Sequence, residues 1–318
     1  METRRNRRGI LEHYVRGRHL NLDKLKKAAR GSDVADYLFK ENIPKYPHPE
    51  FHVRGLKHET DQDGLEGIRW SEGFTSLDDR GILWWSLDVS PGEMVSAERR
   101  LLENIYPNPN RTREQEQMPS RFLRKFASSP AFLRGSRLGS YRFTFPLKDV
   151  LGAYQDQFCG GAEPVMRVME TVLYKQEVMY VVLVHSPDNQ RLFKRYPLLR
   201  DNPDAVCCYR DDYFLWRPEA MCKTHWNELV CRDDLQQVDA RPVTQMPEWY
   251  VWDHVAIALH VGNQLLHFDV DQLRKNLKYC KKIRPPVCRD ICFDYYTVAE
   301  GIVGKLWPHH PSTLRRPD

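Results

Sequence analysis

Apolar positions in this chain repeat with two different periods, and the switches between them mark the elements. Asp61–Glu72 places Leu65, Ile68 and Trp70 among polar residues, which predicts a short amphipathic helix ended by Gly73. Gly92–Tyr106 carries Met94, Ala97, Leu101, Leu102 and Ile105 at helical spacing, and Asp271–Tyr279, Tyr295–Leu306 and Asp33–Glu41 also read as helical. Strands are predicted at Phe51–Val53, at the aromatic run Ile82–Leu87, and at Ser140–Pro146, where Tyr141, Phe143 and Phe145 alternate with polar residues. Val165–Tyr174 and Glu177–Val184 are rich in β-branched residues and flank Lys175-Gln176, a hairpin pattern. Val251–Val261 and Gln264–Val270 flank Gly262-Asn263 in the same way. Pro44, Pro47 and Pro49 predict an extended linker, the polar stretch Pro107–Ser120 a mobile loop, and Trp307–Asp318 a frayed end. Ser186–Pro247 is dense in charge, aromatics and cysteine and shows no clear period.

Together these segments predict an α+β protein in three parts: a basic arm over 1–45, a first α+β domain over 46–190, and a second α+β region over 191–318. Hydrophobic content of 41% and charged content of 29% exclude a disordered chain. No apolar run approaches the ~20 residues of a membrane span, and the first residues lack the apolar core of a secretory signal. The expectation is an intracellular protein, cytoplasmic or nuclear, with its eight cysteines reduced. The charge is uneven. Residues 1–31 hold ten lysines and arginines (Arg4, Arg5, Arg7, Arg8, Arg16, Arg18, Lys24, Lys26, Lys27 and Arg30) against three acids. Such an arm suits a protein or nucleic-acid partner contacted through residues 4–30, or is a solvated tail.

Three distant segments carry candidate chemistry: Phe51-His52-Val53-Arg54-Gly55, Gly81-Ile82-Leu83-Trp84-Trp85-Ser86, and Gln176-Glu177-Val178-Met179-Tyr180. With Gly67–Phe74, they resemble ADP-ribosyltransferase-fold, poly-ADP-ribose-polymerase-like proteins over residues 50–190. In those proteins a histidine strand precedes a short helix and a Gly-Phe turn, an aromatic strand follows, and a later strand opens with the catalytic glutamate. The resemblance implies a split antiparallel sheet with flanking helices. It also implies NAD as substrate, with ADP-ribose transferred to a protein or nucleic-acid acceptor. On it, His52 and Glu177 are the catalytic candidates, and His52, Trp84, Trp85 and Gly55 contact the dinucleotide. The chemistry asks for these types. A histidine donates to a ribose hydroxyl, an aromatic face stacks on nicotinamide, and a carboxylate stabilises the charge that develops as nicotinamide leaves. The sequence departs from the family where Val53-Arg54 separates His52 from Gly55, where tryptophan stands for tyrosine, and where Lys57-His58-Glu59-Thr60 offers a competing histidine, His58. A degenerate member that keeps the groove without the chemistry, a non-catalytic binding or regulatory protein, is the alternative.

Two further constellations compete. Trp252–Gly262, with His254 and His260, and the later His267 resemble the histidine strands of lecithin-retinol-acyltransferase and cell-wall-peptidase thiol enzymes. That resemblance implies a thiol hydrolase or acyltransferase using His254 with Cys288 or Cys292, ahead of the helix Tyr295–Leu306. Cys207, Cys208, Cys222, His225 and Cys231 lie within 25 residues, and a tetrahedral set from Cys207, Cys222, His225 and Cys231 is a weak metal candidate, without the paired Cys-x-x-Cys of a strong zinc signal. Gly160-Gly161 is no phosphate loop, since no Gly-Lys-Ser/Thr follows.

Overall fold

The computed structural model describes residues 1–5, 11–32, 48–126, 131–174, 177–200, 205–220, 227–231, 238–242, 250–251, 254–282, 291–310 and 313–316; at 121–122, 124–126, 174, 177, 219–220, 227–231, 238–242 and 250–251 it describes the backbone alone. Nine strands form one sheet. Across it run β1 (Glu2–Arg5), β2 (Leu11–Arg16), β8 (Val165–Tyr174), β9 (Glu177–His185), β16 (His254–His260), β6 (Ile82–Asp88), β4 (Gly55–Thr60), β7 (Tyr141–Pro146) and β18 (Leu277–Tyr279). The α+β class holds. The sheet is mixed, however, because β16 runs parallel to β9 and antiparallel to β6. It also draws strands from all three predicted parts, so the chain does not divide at 45 and 190. The N-terminal segment is tied down as well: β2 pairs with β8, and Arg4 and Arg5 sit in the edge strand β1.

Alternation along the strands gives the sheet two unlike faces. On one, Val182, Ile257, Trp85, Leu56 and Phe145 join the main core. That face is covered by helices α1 (Leu22–Ala29), α2 (Gln62–Ser71), α3 (Pro91–Ile105), α4 (Arg113–Phe126), α5 (Leu147–Phe158) and α8 (Tyr296–Leu306), each lending buried side chains to the same core. A three-stranded sheet of β10 (Cys207–Arg210), β11 (Tyr213–Trp216) and β3 (Phe51–Val53) packs there through Cys207, Phe214, Trp216 and Phe51. On the other face, Val181, Leu183, Ala256 and Ala258 form a smaller core, with Tyr196 and the short α6 (Gln190–Phe193) against it. Two further strand pairs are β12 (Glu219–Ala220) with β15 (Tyr250–Val251) and β13 (Asn227–Cys231) with β14 (Val238–Pro242).

Several local expectations are corrected. Helix α2 starts as predicted, with the Asp61 side chain capping Gly64 N–H, but its left-handed terminal residue is Glu72 (φ 57°) rather than Gly73. Gly73 enters β5 (Gly73–Phe74), where a Cβ would collide with the Leu266 carbonyl of its partner β17 (Leu266–His267). The expected Val251–Val261/Gln264–Val270 hairpin does not pair with itself. β16 already has β9 and β6 on its two edges, so the second run pairs with β5 and then enters α7 (Val270–Asn276). Much of Pro107–Ser120 is helical, because Thr112 and Gln115 cap each other's backbone N–H groups in a capping box at the start of α4. Pro119 is accommodated within that helix. The C-terminal stretch is not frayed where it is described. Trp307 and Leu314 are buried, and Tyr279 donates its backbone N–H to the Arg315 carbonyl. The expected Asp33–Glu41 helix lies outside the described residues.

Candidate functional site

The main sheet opens between β4 and β6. Their ladder runs for three pairs only, Gly55–Asp88, Leu56–Leu87 and Lys57–Ser86. Beyond Lys57, β4 continues with β7 to Thr60, while β6 runs back to Ile82 along β16. His58 stands where the two strands part. Its Nδ1 lies 2.9 Å from the Trp84 carbonyl, and a carbonyl only accepts, so Nδ1 carries the hydrogen and Nε2 is the acceptor. No described residue hydrogen-bonds to that Nε2. Burial pulls the imidazole below its usual range, partly offset by the bond to Trp84, which keeps the ring neutral. Phe74 and Trp85 wall it, at 5.1 and 5.5 Å between ring centres. β4 leads directly into α2 and then the Gly73–Phe74 turn. His58, the competing histidine of the sequence, thus lies in the strand that precedes this helix, whereas His52 lies one strand earlier.

The other sequence candidates are scattered. His52 belongs to the small sheet, opposite Leu215, with its ring stacked on Tyr213 at 4.4 Å and its backbone N–H donating to Glu93 Oε1. Gly55 opens β4, where a Cβ would stand 2.9 Å from the Asp88 carbonyl, so its role is close strand approach. Trp84 and Trp85 point to opposite faces and cannot wall one pocket together. Trp85 is buried in the main core, whereas Trp84 is half-buried under the Arg80 guanidinium, which is itself paired with the Asp78 carboxylate. Glu177 opens β9 at the tip of the β8–β9 hairpin, opposite Tyr174. Lys57, Ser86, Ala256 and Val181 share one row across the sheet. Counting strands and residues from that row puts the Glu177 backbone about 20 Å from that of His58. The carboxylate whose charge reaches the His58 ring is that of Glu59.

On the smaller-core face lies a polar group whose members the sequence reading did not bring together: Lys57, Glu59, Arg142, Ser136, His254 and Cys280. Arg142 and Ser136 donate to the Glu59 carboxylate, and Lys57 Nζ stands 3.8 Å from it. Burial would push Glu59 up, but the Arg142 and Lys57 charges outweigh it and hold the carboxyl below its usual range. Burial, joined by the Arg142 charge, brings Lys57 down to about 8. Burial and the Lys57 charge lower His254 to about 4, and its Nδ1 has no hydrogen-bond partner among the described residues. Arg142 also donates to the Gly135 carbonyl and Lys57 approaches that of Leu133, so the cluster holds the 133–136 segment against the sheet. The visible signal was the alternation Lys57-His58-Glu59 within an apolar neighbourhood, since charged residues inside a strand must be partnered when buried.

The thiol pairing does not assemble among the described residues. His254 faces away from α8, whose buried residues join the core on the opposite face, and Cys292 precedes that helix and is exposed. Cys288 lies outside the described residues. Of the metal candidates, Cys207 is fully buried in β10, and burial raises its thiol well above the usual range, which opposes the thiolate a metal needs. Cys222 and His225 lie outside the described residues, and no metal-holding group of three or more His, Cys, Asp or Glu occurs among those described. No described helix is long and apolar enough to cross a membrane.

No protein-family model matches this chain, and no match is found among curated proteins or solved structures. The reading of its function rests on the geometry above.

Proposed function

We propose that this chain is a binding protein on an ADP-ribosyltransferase-like split sheet, which takes an NAD-type dinucleotide at the parting of β4 and β6 and does not transfer it. One observation supports this above the others: β4 and β6 separate after three ladder pairs, with the neutral His58 imidazole at the point of separation and Glu177 about 20 Å away. In this reading His58 Nε2 accepts from a ribose hydroxyl, and Phe74 and Trp85 are the apolar wall behind it. A transferase needs a carboxylate beside the departing nicotinamide. Glu59, the acid nearest in sequence, is engaged by Arg142, Lys57 and Ser136 on the other face.

The test pairs melting with label transfer. NAD or ADP-ribose at ~100 times its dissociation constant raises stability by about 2.7 kcal/mol. The His58→Asn variant, whose amide keeps a donor for the Trp84 carbonyl but loses Nε2, abolishes that gain without unfolding. Labelled NAD leaves no covalent label on the chain or on added protein. Labelling that disappears in Glu177→Ala restores the transferase reading, and melting indifferent to both ligands ends the dinucleotide reading.

A further inference from the structure

A second cleft lies far from the parted strands, where the basic N-terminal segment folds back onto the body. Three adjoining cavities of about 140, 640 and 410 Å³ meet at His19, between α1 and the residues Pro197, Leu198, Arg200, Ala205 and Val206. The largest is lined by Arg18, Lys24 and Lys27, and the third by Arg200. These four cations are exposed. The smallest, innermost cavity carries Lys24 at its side and is lined by the buried Leu20, Tyr180, Ala205 and Val206.

Tyr180 distinguishes this cleft from an ordinary basic surface. Its residue is 2% exposed, yet it lines the inner cavity, and its hydroxyl has no hydrogen-bond partner among the described residues. Burial raises the phenol far above its usual range, so it is an O–H donor at any physiological pH. A buried hydroxyl is normally satisfied, and one left facing a cavity beside a lysine marks a place for an acceptor. An anionic oxygen suits both groups, because bonds from charged or neutral donors to phosphate oxygens are the strong ones.

We infer that this cleft binds a phosphomonoester, the terminal phosphate of a nucleotide or of a nucleic-acid strand. The phosphate sits in the inner cavity, accepting from the Tyr180 hydroxyl and Lys24 Nζ. The remainder of the molecule lies along Arg18, Lys27 and Arg200, with Ala28, Pro197 and Leu198 as apolar surface for a base. Cations aligned on a backbone give affinity without sequence choice, so recognition is of the end and not of the sequence.

Fluorescence anisotropy with the full chain tests this, using a short single-stranded RNA carrying either a 5′-phosphate or a 5′-hydroxyl. The phosphorylated strand binds about tenfold tighter, as a charge-assisted contact worth ~1.4 kcal/mol requires. Tyr180→Phe, which keeps the buried ring, brings that ratio close to one while binding of the hydroxyl strand persists. Reversing Lys24 and Lys27 to Glu weakens both strands by about tenfold or more at low salt. His58→Asn changes none of these values, which separates this site from the parted strands. Competition by AMP but not adenosine assigns the site to free nucleotides as well; competition by neither assigns it to strand ends. No binding of either strand, equal binding of both, or a ratio that survives Tyr180→Phe overturns the inference.

Discussion

The two faces of the main sheet are built from the same strands, often from neighbouring residues, and they do different work. Trp85 and Trp84 make the contrast within one strand. Trp85 is fully buried among Phe74, Phe145 and His58, while its neighbour is half-buried with the Arg80 guanidinium over its ring. Leu56 and Lys57 repeat it one strand over, the first in the core and the second in an ionic cluster. The helix-covered face carries the stability that burial of large apolar side chains gives. The opposite face carries buried charge instead, held in fixed geometry by mutual pairing.

Substitutions that separate the faces give this contrast its sharpest test. Trp85→Ala should cost about 3–5 kcal/mol in denaturant unfolding, and Trp84→Ala clearly less, because only the first leaves a cavity in a closed core. Equal losses would erase the distinction. Glu59→Ala should cost about 3 kcal/mol by leaving Arg142 and Lys57 uncompensated, and replacing all three with apolar residues should recover much of that.

Acid is the next probe. His254 stays neutral to about pH 4 in the folded protein, while the unfolded chain takes up its proton near the usual histidine value. The unfolded state therefore binds more protons between those limits, and stability falls as pH drops through that window. The ceiling is about 3 kcal/mol, reduced by the partial solvent contact of the ring. Glu59 adds loss below the ordinary carboxylate range, because its folded value is depressed and its contribution disappears as it protonates. Melting curves of His254→Gln should be flatter between pH 4 and 6.5 than those of the parent, the two limits being its folded value and the ordinary histidine value. The smallest effect lies outside the sheet: Thr112→Ala should cost about 1 kcal/mol by opening the α4 capping box.

The elements with a strong period were legible. Helices α2, α3 and α8 and strands β6 to β9 fall within a residue or two of their predicted limits. What escaped were relations between distant segments. Nothing local in His254–His260 says that it will sit between β9 and β6, because a buried central strand looks alike with parallel or antiparallel neighbours. The different settings of His52 and His58 were hidden for the same reason. Both histidines lie in short strands, and only pairing decides that one joins a side sheet while the other marks the separation of β4 from β6. Which of Trp84 and Trp85 faces the core could not be settled locally, because adjacent residues in a strand face opposite ways and the pairing decides which is inward. The inner cavity at Tyr180 could not be read at all, since it needs α1, β9 and residues 205–206 brought together.

The place of β16 has a consequence for biosynthesis. While the ribosome has made the chain only as far as residue 253, β9 and β6 both present bare backbone edges across an empty slot, and neither can close on the other without misalignment. The nascent protein must therefore carry two sticky margins until β16 has been made. Versions cut short before His254 should need chaperones or precipitate, and adding back a peptide spanning that strand should rescue them.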